Sequence, residues 1–142
     1  MNIQIKIPSL EEVFQKGVPL KVVAENESWY KHYLGDYAEK SGVYIHHANK
    51  SILYVGQTSK NEQWGTFHVR LRRECQPKAA SYSRLYRLLL LNATEVKTTL
   101  YHFDEVKLMF SGGIKEMLSS ERMTLILEQF MIAAYNPIGN KK

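Results

Sequence analysis

Residues 41–59 read SGVYIHHANKSILYVGQTS. The stretch contains two similar pieces, Gly42-Val43-Tyr44 and Tyr54-Val55-Gly56, with the tyrosines ten positions apart. Val43–His46 and Ile52–Val55 are rich in β-branched and aromatic residues, so both read as strands. The HANKS segment between them has the length and asparagine content of a hairpin loop. Two tyrosines in a hairpin ordinarily mean packing, because tyrosine suits a pleated, half-buried surface. The glycines beside them permit close approach of another strand or of a ligand. Alternation puts His46 on the face of Tyr44 and His47 on the opposite one, so the two histidines do not chelate one metal together.

Outward from the hairpin, Ile3, Ile5 and Ile7 alternate with polar residues, as in a short half-buried strand. Ser9 and Glu12 have capping-box spacing ahead of a short helix that Gly17 and Pro19 end. Trp29, Tyr30, Tyr33 and Tyr37 predict a helical turn packed on the main body. After the hairpin, a helix from about Thr66 places Phe67 and Leu71 on its buried face, and Pro77 stops it. SYSRLYRLLLLN predicts a second helix, with Leu85, Leu88 and Leu89 inward and Arg84 and Arg87 at its margin. EVKTTLYHFDE and VKLMF read as strands. Ser120 to about Tyr135 is a long apolar helix halted by Asn136-Pro137. Strands, helices, strands and helix in that order predict an α+β fold, a small mixed layer with a central antiparallel sheet flanked by helices. Residues 1–40 read as a strand and helix extension packed on a core domain of residues 41–142.

The 142 residues suffice for one domain with one core. No apolar run reaches the ~18 residues of a membrane span, and the N-terminus lacks the pattern of a signal peptide. A single cysteine, Cys75, makes no internal disulfide, which favours a reducing compartment and a cytoplasmic location. From Thr66 to Leu90 stand Arg70, Arg72, Arg73, Lys78, Arg84 and Arg87 against Glu74 alone. That stretch carries the whole net charge of +5, and the remainder balances. Concentrated basic charge is either a solvated face or the footprint of a phosphate-binding surface.

Individual residues leave similar pairs of readings. Arg70 is either a solvated helical arginine, spaced to pair with Glu74, or a planar fork for a phosphate. Glu128 lines up with Thr124 and Glu121 as a narrow polar stripe. A carboxylate at the edge of an apolar surface also suits a hard cation such as Mg²⁺. No Cys/His array, phosphate loop or Gly-x-Ser-x-Gly stretch is present, which leaves zinc, nucleotide and serine-hydrolase chemistry without a foothold.

Taken in order, these signals resemble the GIY-YIG nucleases. Gly42-Val43-Tyr44 and Tyr54-Val55-Gly56 look like the two name-giving motifs, and Arg70 resembles the family's phosphate-binding arginine. Glu128 followed by YNPIGN resembles its C-terminal signature, in which a metal-binding glutamate precedes a proline by nine residues and an asparagine by twelve, here Pro137 and Asn140. The resemblance spans Gly42 to Asn140. It departs at Gln57, where members often carry lysine, with Lys60 as the candidate substitute. Arg70 also follows Tyr54 by sixteen residues, a longer connection that resembles the restriction-enzyme branch.

The resemblance implies a metal-dependent endonuclease acting on DNA, with Mg²⁺ on Glu128 and Mn²⁺ as a substitute. It implies that Arg70 serves the non-bridging oxygens, Tyr44 takes the water's proton and Tyr54 hydrogen-bonds nearby, with Asn140 in the same site. A phenol with pKa ~10 is a poor base at neutral pH unless positive charge lowers that value. The cation, Arg70 and His46 are the available sources. Arg72, Arg73, Lys78, Arg84, Arg87, Lys60 and Gln57 are the expected DNA contacts, and a homodimer would let one site per chain cut each strand. The alternatives are a non-cleaving nucleic-acid binding module of the same fold and a basic protein-interaction domain.

Overall fold

The computed structural model describes residues 3–23, 31–59, 65–77 and 84–140. Its helices are α1 (Leu10–Lys16), α2 (Phe67–Glu74), α3 (Arg84–Leu91), α4 (Phe103–Leu108) and α5 (Ser120–Tyr135). Its strands are β1 (Gln4–Ile5), β2 (Val18–Pro19), β3 (Gly42–Ala48), β4 (Ser51–Thr58), β5 (Lys97–His102) and β6 (Phe110–Ser111). Four of these form one antiparallel sheet in the order β2-β5-β3-β4, and β1 pairs with β6 in a separate ribbon. The fold is α+β.

The sheet divides two apolar layers. Phe67 and Leu71 of α2 and Tyr86 and Leu89 of α3 pack with Tyr44, Leu53 and Leu100. On the other face, Val13 of α1, Val106 of α4 and Met123, Leu127 and Met131 of α5 pack with Val43, Ile45 and Val55. Strand β3 lies at the centre and is buried along its whole length. Its residues therefore choose between two interiors, and alternation assigns Tyr44 and His46 to the α2–α3 side.

The local signals act as their chemistry demands. Ser9 Oγ accepts from the Glu12 amide at 3.1 Å, and Ser119 Oγ accepts from the Arg122 amide at 3.1 Å, capping α1 and α5. Asn136 ends α5 in the left-handed conformation, φ 49°, directly before Pro137. Only Asn49 and Lys50 of HANKS form the turn, both with positive φ, as a two-residue hairpin requires. A register shift between His46 and His47 leaves Leu53 as an extra residue in β4.

Two expectations are corrected. Val106, Lys107 and Leu108 of VKLMF are helical, and only Phe110–Ser111 is extended. The reason is a cap: His102 accepts from the Asp104 amide at 3.2 Å, while Glu105 accepts from the His102 amide at 3.1 Å. The N-terminal strand is two residues long rather than reaching Ile7. Of the aromatic group expected to pack here, Trp29 and Tyr30 lie outside the described residues, and Lys31–Tyr37 is a 3₁₀ segment broken at Gly35. Tyr37 docks it, donating to Glu105 at 2.8 Å and accepting from Lys16 at 2.9 Å.

Candidate active site

The two motif glycines make room for the two strands and the first tyrosine. Tyr44 stands opposite Gly56 across the β3–β4 ladder. A Cβ at position 56 would collide with the Tyr44 phenol, so only glycine lets that ring lie over β4. At Gly42 a Cβ would strike the Tyr101 carbonyl of β5. The motif glycines exist to seat β3 and its tyrosine.

Tyr44 is 1% exposed and its hydroxyl donates to Glu74 Oε2. His46 is fully buried beside it, ring centroids 5.0 Å apart. Its Nε2 lies 2.9 Å from Glu74 Oε1 and its Nδ1 2.9 Å from Thr98 Oγ1. A carboxylate oxygen only accepts, so Nε2 carries the proton. Both oxygens of Glu74 are held by donors from β3, and its side chain stays 11% exposed. Tyr54 stands opposite His46, stacks on it at 6.1 Å and lies 6.2 Å from Tyr44.

Arg70 lies one turn before Glu74 on α2, whose last turn also holds Arg72 and Arg73. Burial pushes the Tyr44 phenol well up, and Glu74 and Tyr54 push it further, with Arg70 opposing. Tyr54 rises to about 12 through burial, Glu74 and Glu128, again against Arg70. Among the protein's own described groups, burial and Glu74 outweigh Arg70, so Arg70 and His46 do not bring the Tyr44 phenol down. In this cluster Tyr44 is a protonated donor.

Glu128 reaches the same neighbourhood from α5, on the other face of the sheet, because β4 is the edge strand and α5 packs along it. Its charge acts on Tyr54, and Gln129 Nε2 donates to it at 3.2 Å. Among the described residues no three His, Cys, Asp or Glu side chains gather as a metal cage. A single half-buried carboxylate fits a hard cation that keeps most of its waters, and does not fit zinc. Asn140 serves the scaffold: its Oδ1 accepts from the Val55 amide at 2.8 Å and its Nδ2 donates to the Val55 carbonyl at 2.9 Å. These bonds satisfy the open edge of β4 next to Tyr54.

Ring contacts, hydrogen bonds and charge interactions place Tyr44, His46, Tyr54, Arg70 and Glu128 in one neighbourhood, drawn from β3, β4, α2 and α5, and Asn140 holds Val55 beside Tyr54. Arg72, Arg84 and Arg87 are exposed on the α2–α3 layer, with Arg73 half-buried. Gln57 pairs with Val43, so alternation turns it to the α5 side, away from Tyr44. Lys60 and Lys78 lie outside the described residues. Two members of the cluster escaped the sequence reading, Glu74 and Thr98. Glu74 offered only helix spacing to Arg70, which gives no hint of a β3 partner, and Thr98 offered no signal.

No family model and no curated protein matches the chain. Among solved structures, the chain is similar to the GIY-YIG N-terminal endonuclease domain of UvrC from Thermotoga maritima, in three point mutants bound to the catalytic divalent cation. Identities are 20%, 21% and 20%; each match covers 75% of this chain and 89% of that one, with a TM-score of 0.45.

Proposed function

We propose that this chain is a GIY-YIG-type, metal-dependent endonuclease that hydrolyses DNA phosphodiester bonds. The observation that carries the reading is that Tyr44 and Tyr54 stand 6.2 Å apart within the electrostatic reach of Arg70 and, for Tyr54, Glu128, beside the helices that bear the chain's basic excess. Cutting a phosphodiester requires an activated water, charge neutralisation on the phosphate and stabilisation of the leaving oxygen. Arg70 presents a planar fork to the non-bridging oxygens. Glu128 would hold Mg²⁺, or Mn²⁺ in its place, and a bound cation would neutralise charge on the leaving oxygen. Tyr54 supplies a hydroxyl beside them, and His46 fixes the carboxylate of Glu74. Asn140 keeps β4 and hence Tyr54 in place. Arg72, Arg73, Arg84 and Arg87, with Lys78, Lys60 and Gln57, would follow the DNA. Residues 41–142 form the catalytic domain in this reading, working in the cytoplasm and pairing as a homodimer for double-strand cuts.

The second reading, a binding module without cleavage, is favoured by Gln57 in place of the family lysine. Nicking of supercoiled plasmid with Mg²⁺ or Mn²⁺, against an EDTA control, separates the two. The nuclease reading expects cation-dependent nicking. Salt-dependent duplex binding without nicking would establish the binding module, and absence of binding would leave a protein-interaction domain.

A further inference from the structure

We propose that Glu74, rather than Tyr44, takes the proton of the attacking water; this inference rests on the nuclease reading above. Glu74 is the accessible member of the cluster. Tyr44 is 1% exposed and His46 is fully buried, whereas the Glu74 side chain keeps 11% of its surface open. Hydrogen bonding favours it too. The Tyr44 proton is already committed to Glu74 Oε2, so the phenol would have to lose that proton before accepting another. A carboxylate offers about four acceptor sites, and the bonds from Tyr44 and His46 use two. Thr98 on Nδ1 of His46 orients the imidazole so that its Nε2–H meets Oε1. Tyr44 and His46 are positioning residues that hold the carboxylate still.

Position completes the case. Arg70 and Glu74 are one turn apart on α2, where side-chain bases lie ~5–6 Å from each other. A phosphate gripped by Arg70 would be held on the side of α2 that Glu74 shares, where one water would bridge the two. The raised phenol of Tyr44 agrees with this division of labour. In the step, a water O–H gives its proton to Glu74 as its oxygen bonds to phosphorus. The bond from phosphorus to the leaving sugar oxygen breaks, that oxygen keeps the electron pair, and it takes a proton from solvent. Glu74 then returns its own proton to solvent, which balances the hydrolysis.

The experiment is single-turnover cleavage of a DNA duplex from about pH 6 to 9 by wild type, Glu74→Gln, Tyr44→Phe and the double variant, each checked by circular dichroism and duplex affinity. Among the described residues, the charged and titratable groups around Glu74 are Tyr44 and His46 from β3, Tyr54 from β4, Arg70 from α2, Cys75 directly after it, and Glu128 beyond Tyr54. Glu74→Gln should lose at least ~10²-fold, the usual scale for a missing base. Its residual rate should climb about tenfold per pH unit, as hydroxide replaces the lost acceptor. Tyr44→Phe should lose less and keep the wild-type pH dependence. A Glu74→Gln rate near wild type overturns the proposal, as does a loss that does not vary with pH. Should glutamine at 74 prevent folding, Tyr44→Phe decides alone: a hydroxide-dependent rate there assigns the proton to Tyr44 and overturns the proposal. An inactive wild type sinks the nuclease reading itself, which distinguishes the two failures.

Discussion

His46 and His47 are neighbours on β3, and the two faces of the sheet put the same side chain to opposite uses. His46 meets Glu74 at 2.9 Å and Thr98 at 2.9 Å, among Tyr44 and Tyr54. His47 meets Thr99 Oγ1 at 2.8 Å and the Phe14 ring at 5.2 Å, and Thr99 in turn donates to the Val13 carbonyl at 2.6 Å. Burial, with His46 and Lys97 nearby, lowers His47 to about 4, so it is neutral packing at ordinary pH. A histidine is made functional by what faces it. On the α2–α3 side a carboxylate does; on the α1 side a hydroxyl and an aromatic ring do.

The largest effect that could break this contrast lies at Glu128. Glu128→Gln should reduce nicking to background while leaving duplex affinity largely intact, since among the described residues no cage of three acidic, His or Cys side chains could hold a hard cation in its place. Normal nicking by that variant, in a preparation free of wild type, would leave the His46 face without its metal.

Next comes acid stability, which tests the other face. The folded pKa of His47, about 4, lies below its ordinary value of 6.5, so the unfolded chain binds the proton more readily. The stability this involves is complete above pH 6.5 and is lost as pH falls toward 4, by up to about 3 kcal/mol. His47→Leu should flatten that part of the stability–pH curve measured by urea unfolding. Parallel curves would show that His47 binds its proton as readily folded as unfolded and that the contrast is false.

Gly56→Ala sharpens the comparison through packing. The new Cβ meets the Tyr44 phenol, so the side facing Glu74 must give way. Overpacking of this kind costs about 1–3 kcal/mol, and nicking should fall with it because Tyr44 no longer reaches Glu74. An alanine variant with unchanged melting temperature and rate would contradict the close approach.

The smallest effect concerns the outer surface of the α2–α3 layer. Alanine at Arg72, Arg73, Arg84 or Arg87, where that arginine binds a backbone phosphate, should flatten log affinity against log salt by about one unit. Unchanged slopes in all four single variants would place the DNA elsewhere.

Local chemistry is what the residues alone determined. The hairpin, its paired glycines and tyrosines, the Ser9 cap, the end of α5 at Asn136-Pro137 and the gathering of charge between Thr66 and Leu90 follow from propensity, periodicity and spacing within a few residues. So did the opposite facing of His46 and His47, because alternation along a strand is geometric. The α4 helix was not legible, since histidine is an unusual cap and VKLMF alone reads as extended. Tertiary structure alone decided that Glu74 meets Tyr44 and His46 across 30 and 28 residues, and that α5 carries Glu128 around an edge strand to Tyr54. It also decided the protonation of the Tyr44 phenol. Helix spacing suggested a partner for Glu74 on its own helix, while packing against the sheet supplied two donors from β3. Burial and proximity arise only when distant segments meet, and these set both hydrogen bonding and charge.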